Sequence, residues 1–121
     1  METSNAVAAL AALAQDNRLD IFRLLVQAGP DGLAAGRVAE ALDLAPNTLT
    51  FHFDRLRVAG LVTVRRDGRS MIYAARYETM NGLLAFLTAN CCQGVADSCA
   101  PVACKPAKNL AKTTRKKEGV S

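Results

Sequence analysis

Apolar residues recur at intervals of three and four along most of the first 91 positions, which is the spacing of amphipathic α-helices. Asp16 is expected to cap the second of the predicted helices, and Pro46 suits the first position of the fourth. Five helices are predicted from the pattern, over residues 6–14, 17–28, 35–42, 46–58 and 77–91.

The fourth predicted helix has two faces of different character. Leu49, Phe53 and Leu56 are spaced by four and three residues, so they should form one buried stripe. The remaining positions carry polar or basic side chains and one exposed aromatic ring, namely Asn47, Thr48, Thr50, Phe51 and Arg55. This helix is therefore expected to pack on one side and to offer hydrogen-bonding groups on the other.

Two short β-type segments, at residues 61–65 and 70–74, flank the sequence Arg66-Asp67-Gly68-Arg69. Asp-Gly favours the tight turn of a hairpin, so we predict a two-stranded β-hairpin between the fourth and fifth helices. The expected fold class is mainly α (α+β).

The third and fourth helices, joined by a short turn, are typical of a helix-turn-helix, and the hairpin is typical of its wing. The second helix of such a pair enters the major groove of double-stranded DNA, where Asn, Thr and Arg can bind bases or phosphates and Phe can touch a thymine methyl group. The predicted DNA-binding residues are Asn47, Thr48, Thr50, Phe51, His52 and Arg55 in the helix and Arg65, Arg66 and Arg69 in the wing.

Charge is distributed unevenly along the chain. Residues 105–121 hold six basic side chains and one acidic one, and this tail is expected to be disordered. Residues 1–104 have a net charge of −1, but six of their arginines lie within residues 55–76 and can face a polyanion. No apolar run is long enough to span a membrane and the N-terminus lacks a basic signal region, so a cytoplasmic protein is expected.

The run from Leu44 to Val62, followed by the wing residues and Tyr73, resembles the ArsR/SmtB family of metal- and metalloid-responsive repressors. The most specific part of the likeness is His52 with Leu56 and Ala59-Gly60-Leu61-Val62. The resemblance implies a homodimeric winged-helix repressor, joined through its first and last helices, that leaves its operator when an inducer binds. Two departures from the family are Ala45, where a capping Ser or Thr is usual, and Phe53, where Leu is usual.

His52 is the only histidine in the chain. It can be interpreted as a DNA contact, as a metal ligand, or as a half-buried histidine hydrogen-bonded within the domain. We favour the structural role over metal binding, because a lone imidazole without nearby Cys, His or acidic partners makes a poor metal site.

All four cysteines lie within fourteen residues, at Cys91, Cys92, Cys99 and Cys104. Soft ions choose thiolates, and As(III) and Sb(III) commonly take three of them. Two adjacent cysteines cannot point along one face of a regular helix, so the helix must unwind at the pair for both sulfurs to converge. Cys99 can return over a loop containing Gly94 to supply the third sulfur, and Cys104 is a fourth candidate.

A subset of arsenic-responsive repressors resembles this arrangement of a Cys-Cys pair at the end of the last helix and a third Cys soon after. The resemblance implies As(III) or Sb(III) as inducer, bound by Cys91, Cys92 and Cys99, with no catalytic cofactor. The predicted organisation is a DNA-binding and dimerisation domain at 1–92, an inducer-binding segment at 93–104 and the basic tail at 105–121.

Other interpretations of the cysteines and of the chain remain open. The four thiols can bind another soft metal or Zn²⁺, although the Cys-x2-Cys pairs usual for zinc are absent, or they can form a disulfide switch. An adaptor with the same scaffold and no DNA target is a further alternative. An enzyme is not predicted, because neither a nucleophile set beside His52 nor a phosphate-binding glycine loop occurs.

Overall fold

The computed structural model describes residues 1–94, and its first compact unit is Met1–Ala89. A second unit begins at Asn90, where the described residues form one 3-10 turn, Cys91–Gly94. The elements of the first unit are α1 (Thr3–Leu13), α2 (Asp16–Ala28), β1 (Leu33–Ala34), α3 (Ala35–Leu42), α4 (Pro46–Val58), β2 (Val62–Asp67), β3 (Ser70–Ala75) and α5 (Tyr77–Thr88). Cys99, Cys104, the predicted inducer-binding segment beyond Gly94 and the predicted tail 105–121 lie outside the described residues.

The predicted mainly helical fold with a β wing is confirmed, and α3 and α4 have the predicted bounds. Pro46 occupies the first turn of α4, and Ala45 before it provides no side-chain cap. The predicted cap of α2 is wrong: Asp16 is the first helical residue, and the side chain of Gln15 accepts a hydrogen bond from the Arg18 backbone N–H at 3.0 Å. Asp16 still favours the helix through its charge in the first turn.

The sheet has three antiparallel strands in the order β1-β3-β2, so the predicted two-stranded hairpin is present and is joined by a third strand that was not predicted. Strand β1 pairs Leu33 with Tyr73 and Ala34 with Ile72. It contains only two residues, which is too short for alternation in the sequence to reveal it. Gly32, with φ +74°, admits β1 beside β3, because a Cβ at this position would meet the carbonyl oxygen of Tyr73.

The wing is the hairpin β2–β3, closed by a two-residue loop of Gly68 and Arg69 between the paired Asp67 and Ser70. Gly68 has φ +63°, whereas the φ of Arg69 is not positive. A positive φ at the first loop residue alone is the geometry of a type II′ turn, whose twist matches that of the strands. The turn therefore lies one residue later than Asp67-Gly68.

Helix α1 faces the core with its alanines. Ala6, Ala9 and Ala12 are buried, whereas Val7 and Leu10 are 58% and 43% exposed. The larger apolar residues Val7 and Leu10 therefore lie on the outside of this chain. The small alanine side chains allow α1 to approach its neighbouring helices closely. The larger apolar residues of α1 are then free to pack against another surface.

Helix α5 ends at Thr88, three residues before the predicted end at Cys91. Leu83 is its buried residue, and Leu84 and Leu87 are 49% and 57% exposed. None of the helices in the part of the chain that the structure describes has the length and hydrophobicity needed to cross a bilayer.

Candidate nucleic-acid interface

Helix α4 is fixed in the domain by its predicted apolar stripe. Leu49, Phe53 and Leu56 are each at most 2% exposed. The Phe53 ring stacks on Tyr73 of strand β3, with parallel planes and centroids 3.6 Å apart. Burial of this stripe orients the opposite face of α4 toward solvent, where Asn47, Thr48, Thr50, Phe51 and Arg55 are all exposed.

The exposed side chains of α4 differ in how firmly they are held. The hydroxyl of Thr50 donates to the carbonyl oxygen of Pro46 at 2.9 Å, so its proton is engaged within the helix. The guanidinium of Arg55 lies 5.1 Å from the centroid of the Phe51 ring, within the range of a cation–π interaction. Phe51, 52% exposed, therefore supports Arg55 at the surface.

His52 points into the domain and is only 6% exposed. Arg18 donates from Nη1 to Nδ1 of His52 at 3.3 Å and from Nε to the Ala12 carbonyl oxygen at 2.6 Å. Arginine cannot accept a hydrogen bond, so Nδ1 must be the unprotonated nitrogen and the imidazole is neutral. Burial, with the Arg18 charge as a second cause, holds the pKa of His52 below its usual 6.5. The predicted hydrogen-bonded role within the domain fits this geometry, whereas a direct DNA contact by the imidazole does not.

The wing presents three exposed arginines. Arg65 donates from Nη1 to the Asp31 carbonyl oxygen at 3.1 Å, and Arg66 donates from Nε to the Gly68 carbonyl oxygen at 3.3 Å. The ion pairs found in residues 1–94 involve other arginines, so these three guanidinium groups carry no carboxylate partner there. They remain able to bind an external anion.

Arg18 is the residue at this interface that the sequence did not single out. It lies 34 positions before His52, and no spacing rule connects residues so far apart. A half-buried arginine that orients a helix of this kind can be identified only once the packing of α2 on α4 is known.

The adjacent cysteines follow the end of α5 and lie in the 3-10 turn. Cys92 is exposed and has φ +55°, in the left-handed region that side-chain-bearing residues seldom adopt, and Cys91 is partly buried. The backbone has thus left α-helical geometry at the pair, as convergence of both sulfurs would require. Over residues 1–94, no cluster of three or more Cys, His, Asp or Glu side chains could hold a metal ion.

An apolar surface lies on α1, α2 and α5 and does not include the predicted DNA-binding residues. It contains a groove of about 300 Å³ whose lining is almost wholly apolar. Exposed leucines lie on these same helices, including Leu10, Leu19, Leu84 and Leu87. The main apolar residues that line the groove are Leu13, Leu19, Phe22, Val26, Met80, Leu83 and Leu84.

Residues 13–65 match the family model of a helix-turn-helix domain, a span that contains α2 to α4 and the start of the wing. The chain is 36% identical over 73 residues to YceK of Bacillus subtilis, described as an uncharacterized HTH-type transcriptional regulator, covering 60% of this chain and 72% of YceK. It is 28% identical over 91 residues to the transcriptional activator HlyU of Vibrio cholerae, covering 75% and 82% of the two chains.

Solved structures share the fold. The homodimeric winged helix-turn-helix domain of Mb0332 from Mycobacterium bovis is 26% identical, with a TM-score of 0.59 over 91% of this chain and 85% of that one. An ArsR-like transcriptional regulator from Rhodococcus sp. RHA1 is 22% identical, with a TM-score of 0.62 over 89% and 93% of the chains, and it supports the fold alone.

Proposed function

This chain belongs to the family of helix-turn-helix transcriptional regulators, and we propose that it is a homodimeric repressor that binds operator DNA and is released when As(III) or Sb(III) binds a cysteine site. The observation that best supports DNA binding is the division of α4 into a buried apolar stripe and an exposed polar face. A surface of this kind, on the second helix of a helix-turn-helix, is suited to reading base edges.

In the proposed complex, α4 enters the major groove. Asn47, Thr48 and Arg55 offer donors and acceptors to bases or phosphates, and Phe51 can contact a thymine methyl group while it supports Arg55. The Thr50 hydroxyl, whose proton is engaged with Pro46, can still accept a hydrogen bond. The wing arginines, Arg65, Arg66 and Arg69, would bind phosphates or an adjacent minor groove.

Two recognition helices must be presented at once to read a two-fold operator, about 34 Å apart along the DNA. The apolar surface on α1, α2 and α5 is the proposed dimer interface, because it leaves several leucines about half exposed in a single chain. The homodimeric state of Mb0332 supports this assignment.

The proposed inducer site consists of Cys91, Cys92 and Cys99, with Cys104 as an alternative ligand. As(III) bound there would join three thiolate sulfurs in one pyramid. The 3-10 turn at Cys91–Gly94 and the exposed Cys92 thiol support such a site, since adjacent sulfurs cannot converge on a regular α-helix. Closing this segment directly after α5 would bias the dimer away from the spacing that fits the operator. A 100-fold loss of operator affinity corresponds to a coupling free energy of about 3 kcal/mol.

The test is a mobility-shift assay with the full-length reduced protein and DNA from upstream of its own gene. We expect a shifted complex that arsenite dissolves, and desalted protein that retains one arsenic per chain. Serine variants of Cys91, Cys92 and Cys99 should keep the DNA bound in arsenite. Release of Cys104→Ser by arsenite would exclude Cys104 as the alternative ligand, and its retention on DNA would show that Cys104 takes part in the site. A complex that persists in arsenite would contradict the inducer assignment. The absence of any complex would contradict the proposal that the protein regulates this DNA.

A disulfide switch is the second candidate, supported by the exposed thiol of Cys92 next to another cysteine. It predicts release by a thiol oxidant, recovery with dithiothreitol and no retained arsenic. Because HlyU is named an activator, transcription from the promoter should also be measured with and without the protein, and increased transcription would contradict repression.

A further inference from the structure

A second groove lies on the DNA-reading side of the domain, between α1 and α4, with a volume of about 550 Å³. This volume is within the range of small-molecule sites, about 300–1,000 Å³. No DNA contact or dimer contact proposed above accounts for the groove as a whole. Its lining combines alanines, two larger apolar residues and two arginines: Ala8, Ala11, Ala12, Ala59, Phe51, Val58, Arg18 and Arg55.

The alanines of α1 create the space. Their side chains end at Cβ, so the floor of the groove is apolar and flat, while Phe51 and Val58 of α4 form an apolar wall. Val58 is 76% exposed and Phe51 is 52% exposed. Two large apolar side chains facing such a floor favour a ligand with an apolar body, because its binding would remove apolar surface from water on both sides.

The two arginines give the groove its charge. Neither has a carboxylate partner among residues 1–94, where the ion pairs involve Arg57 and Arg76. Arg18 uses Nε and Nη1 for the Ala12 carbonyl and His52, which leaves its other N–H groups available. Arg55 lies over the Phe51 ring, directly beside the apolar wall. Guanidinium groups bind carboxylates through paired hydrogen bonds.

We propose that this groove binds an amphipathic monocarboxylate, with its apolar body on the alanine floor and its carboxylate on Arg18 and Arg55. Since Phe51 and Arg55 also belong to the proposed DNA-reading face, the bound ligand would displace the operator. This second consequence depends on the proposed DNA-binding function, whereas binding of the carboxylate itself does not.

The probe is octanoate, titrated calorimetrically into the full-length protein without DNA. Octan-1-ol, which has the apolar body without the charge, and acetate, which has the charge without the body, are the comparison ligands. We expect octanoate to bind saturably and at least about ten-fold more tightly than either, because it satisfies both halves of the groove. Equal affinities for octanoate and octan-1-ol, or no saturable binding of octanoate, would overturn the proposal.

The position of the ligand is tested by filling the groove. Ala11→Leu adds bulk at an exposed helical position of the floor without changing charge, and Ala28→Leu is the matched control at an exposed position of α2 outside the groove. Octanoate binding should weaken at least about ten-fold in Ala11→Leu and stay unchanged in Ala28→Leu. Ala8→Leu serves as the second groove variant if Ala11→Leu lacks the wild-type circular dichroism spectrum. Undiminished binding in a folded groove variant would place the ligand elsewhere.

Operator displacement is measured separately, by adding octanoate to the protein–DNA complex. Wild-type protein should release the DNA and Ala11→Leu should retain it. If octanoate binds in the calorimeter but does not displace the DNA, only the proposed overlap between the groove and the DNA-binding surface is overturned. A protein that binds octanoate but never binds the DNA would instead contradict the proposed function and leave the groove assignment intact.

Discussion

Arg18 and His52 link the start of α2 to the core-facing side of α4 through an Nη1–Nδ1 hydrogen bond of 3.3 Å. The same guanidinium binds the carbonyl oxygen of Ala12 near the end of α1. One side chain thus connects α1 and α2, which contribute to the proposed dimer interface, to the helix proposed to read DNA. Its hydrogen bond to Nδ1 can form only while the imidazole is neutral, because a protonated ring has no acceptor.

Stability should therefore decrease at acidic pH because of His52. Its pKa in the folded protein lies below the 6.5 of the unfolded chain, so the unfolded state binds more protons between these values. The contribution of the neutral imidazole is complete above pH 6.5 and is lost progressively as the pH falls below it. Urea unfolding should be measured at about pH 7.5 and about pH 5.5. The free energy of unfolding should decrease more between these two values for wild type than for His52→Gln, whose amide oxygen still accepts a hydrogen bond from Arg18. Equal losses would contradict this role.

Gly32 should tolerate no side chain, unlike Gly36. Gly32 has φ +74°, and an added Cβ would meet the backbone carbonyl of Tyr73, so Gly32→Ala should lower the free energy of unfolding by at least about 2 kcal/mol. Gly36 lies in α3 with open space around its missing Cβ, so Gly36→Ala should raise it by about 0.5–1 kcal/mol. Urea unfolding of both variants measures the difference. A harmless Gly32→Ala would contradict the placement of β1 beside β3.

Asp43 ends α3 in the left-handed conformation, with φ +55° and ψ +52°. Residues with a Cβ pay a steric cost in this region, although Asp tolerates it better than most. Asp43→Gly should raise the free energy of unfolding by about 0.5–1 kcal/mol, and Asp43→Val should lower it by about 1 kcal/mol or more, as measured in urea. If glycine and valine had the same effect, the turn of the helix-turn-helix would have a different geometry.

The sequence predicted the elements whose chemistry is local. Pro46 marked the start of α4, and the spacing of Leu49, Phe53 and Leu56 identified the buried stripe that the structure contains. The wing was predicted because Gly68 and the β-type residues around it are close together in the chain. The exposed face of α4 followed from the same periodicity, so most of the candidate DNA-binding surface could be read directly.

Features that depend on distant residues could not be predicted in the same way. Leu10 is 43% exposed whereas Ala9 beside it is fully buried, and the sizes of the two side chains alone would suggest the reverse. The partner of His52 is 34 residues away, and β1 pairs only two residues with β3. The ligand set of the cysteine site stays a prediction, since Cys99 lies outside residues 1–94.

Leu84 tests the proposed dimer interface. It is 49% exposed on α5 and lines the apolar groove, so Leu84→Glu would place a charge in the interface and should convert the dimer to a monomer. Met71→Glu is the matched control, because Met71 is 42% exposed on the wing strand β3. Analytical ultracentrifugation should show a dissociation constant increased at least about 100-fold for Leu84→Glu only. A dimer that survives this change would require another interface.

Arg55 and Arg69 should contribute to DNA binding in different ways. Arg55→Gln on α4 should weaken binding to the operator by about 1–3 kcal/mol and relax the preference for operator over random DNA, as expected for a base contact. Arg69→Gln in the wing should weaken both DNAs alike and reduce the slope of log affinity against log salt by about 1, as expected for a phosphate contact. Fluorescence anisotropy with labelled operator and random duplexes, at several salt concentrations, measures both quantities.

Arg76→Gln is the matched control for this pair of variants. Arg76 is exposed at the start of α5 and forms a surface ion pair with Glu78 at 3.8 Å, an interaction worth little to stability. Its replacement removes the same charge without touching α4 or the wing tip, so the operator preference should be unchanged. If Arg76→Gln relaxed that preference as strongly as Arg55→Gln does, the discrimination would come from total charge, and α4 would not be the element that reads the sequence.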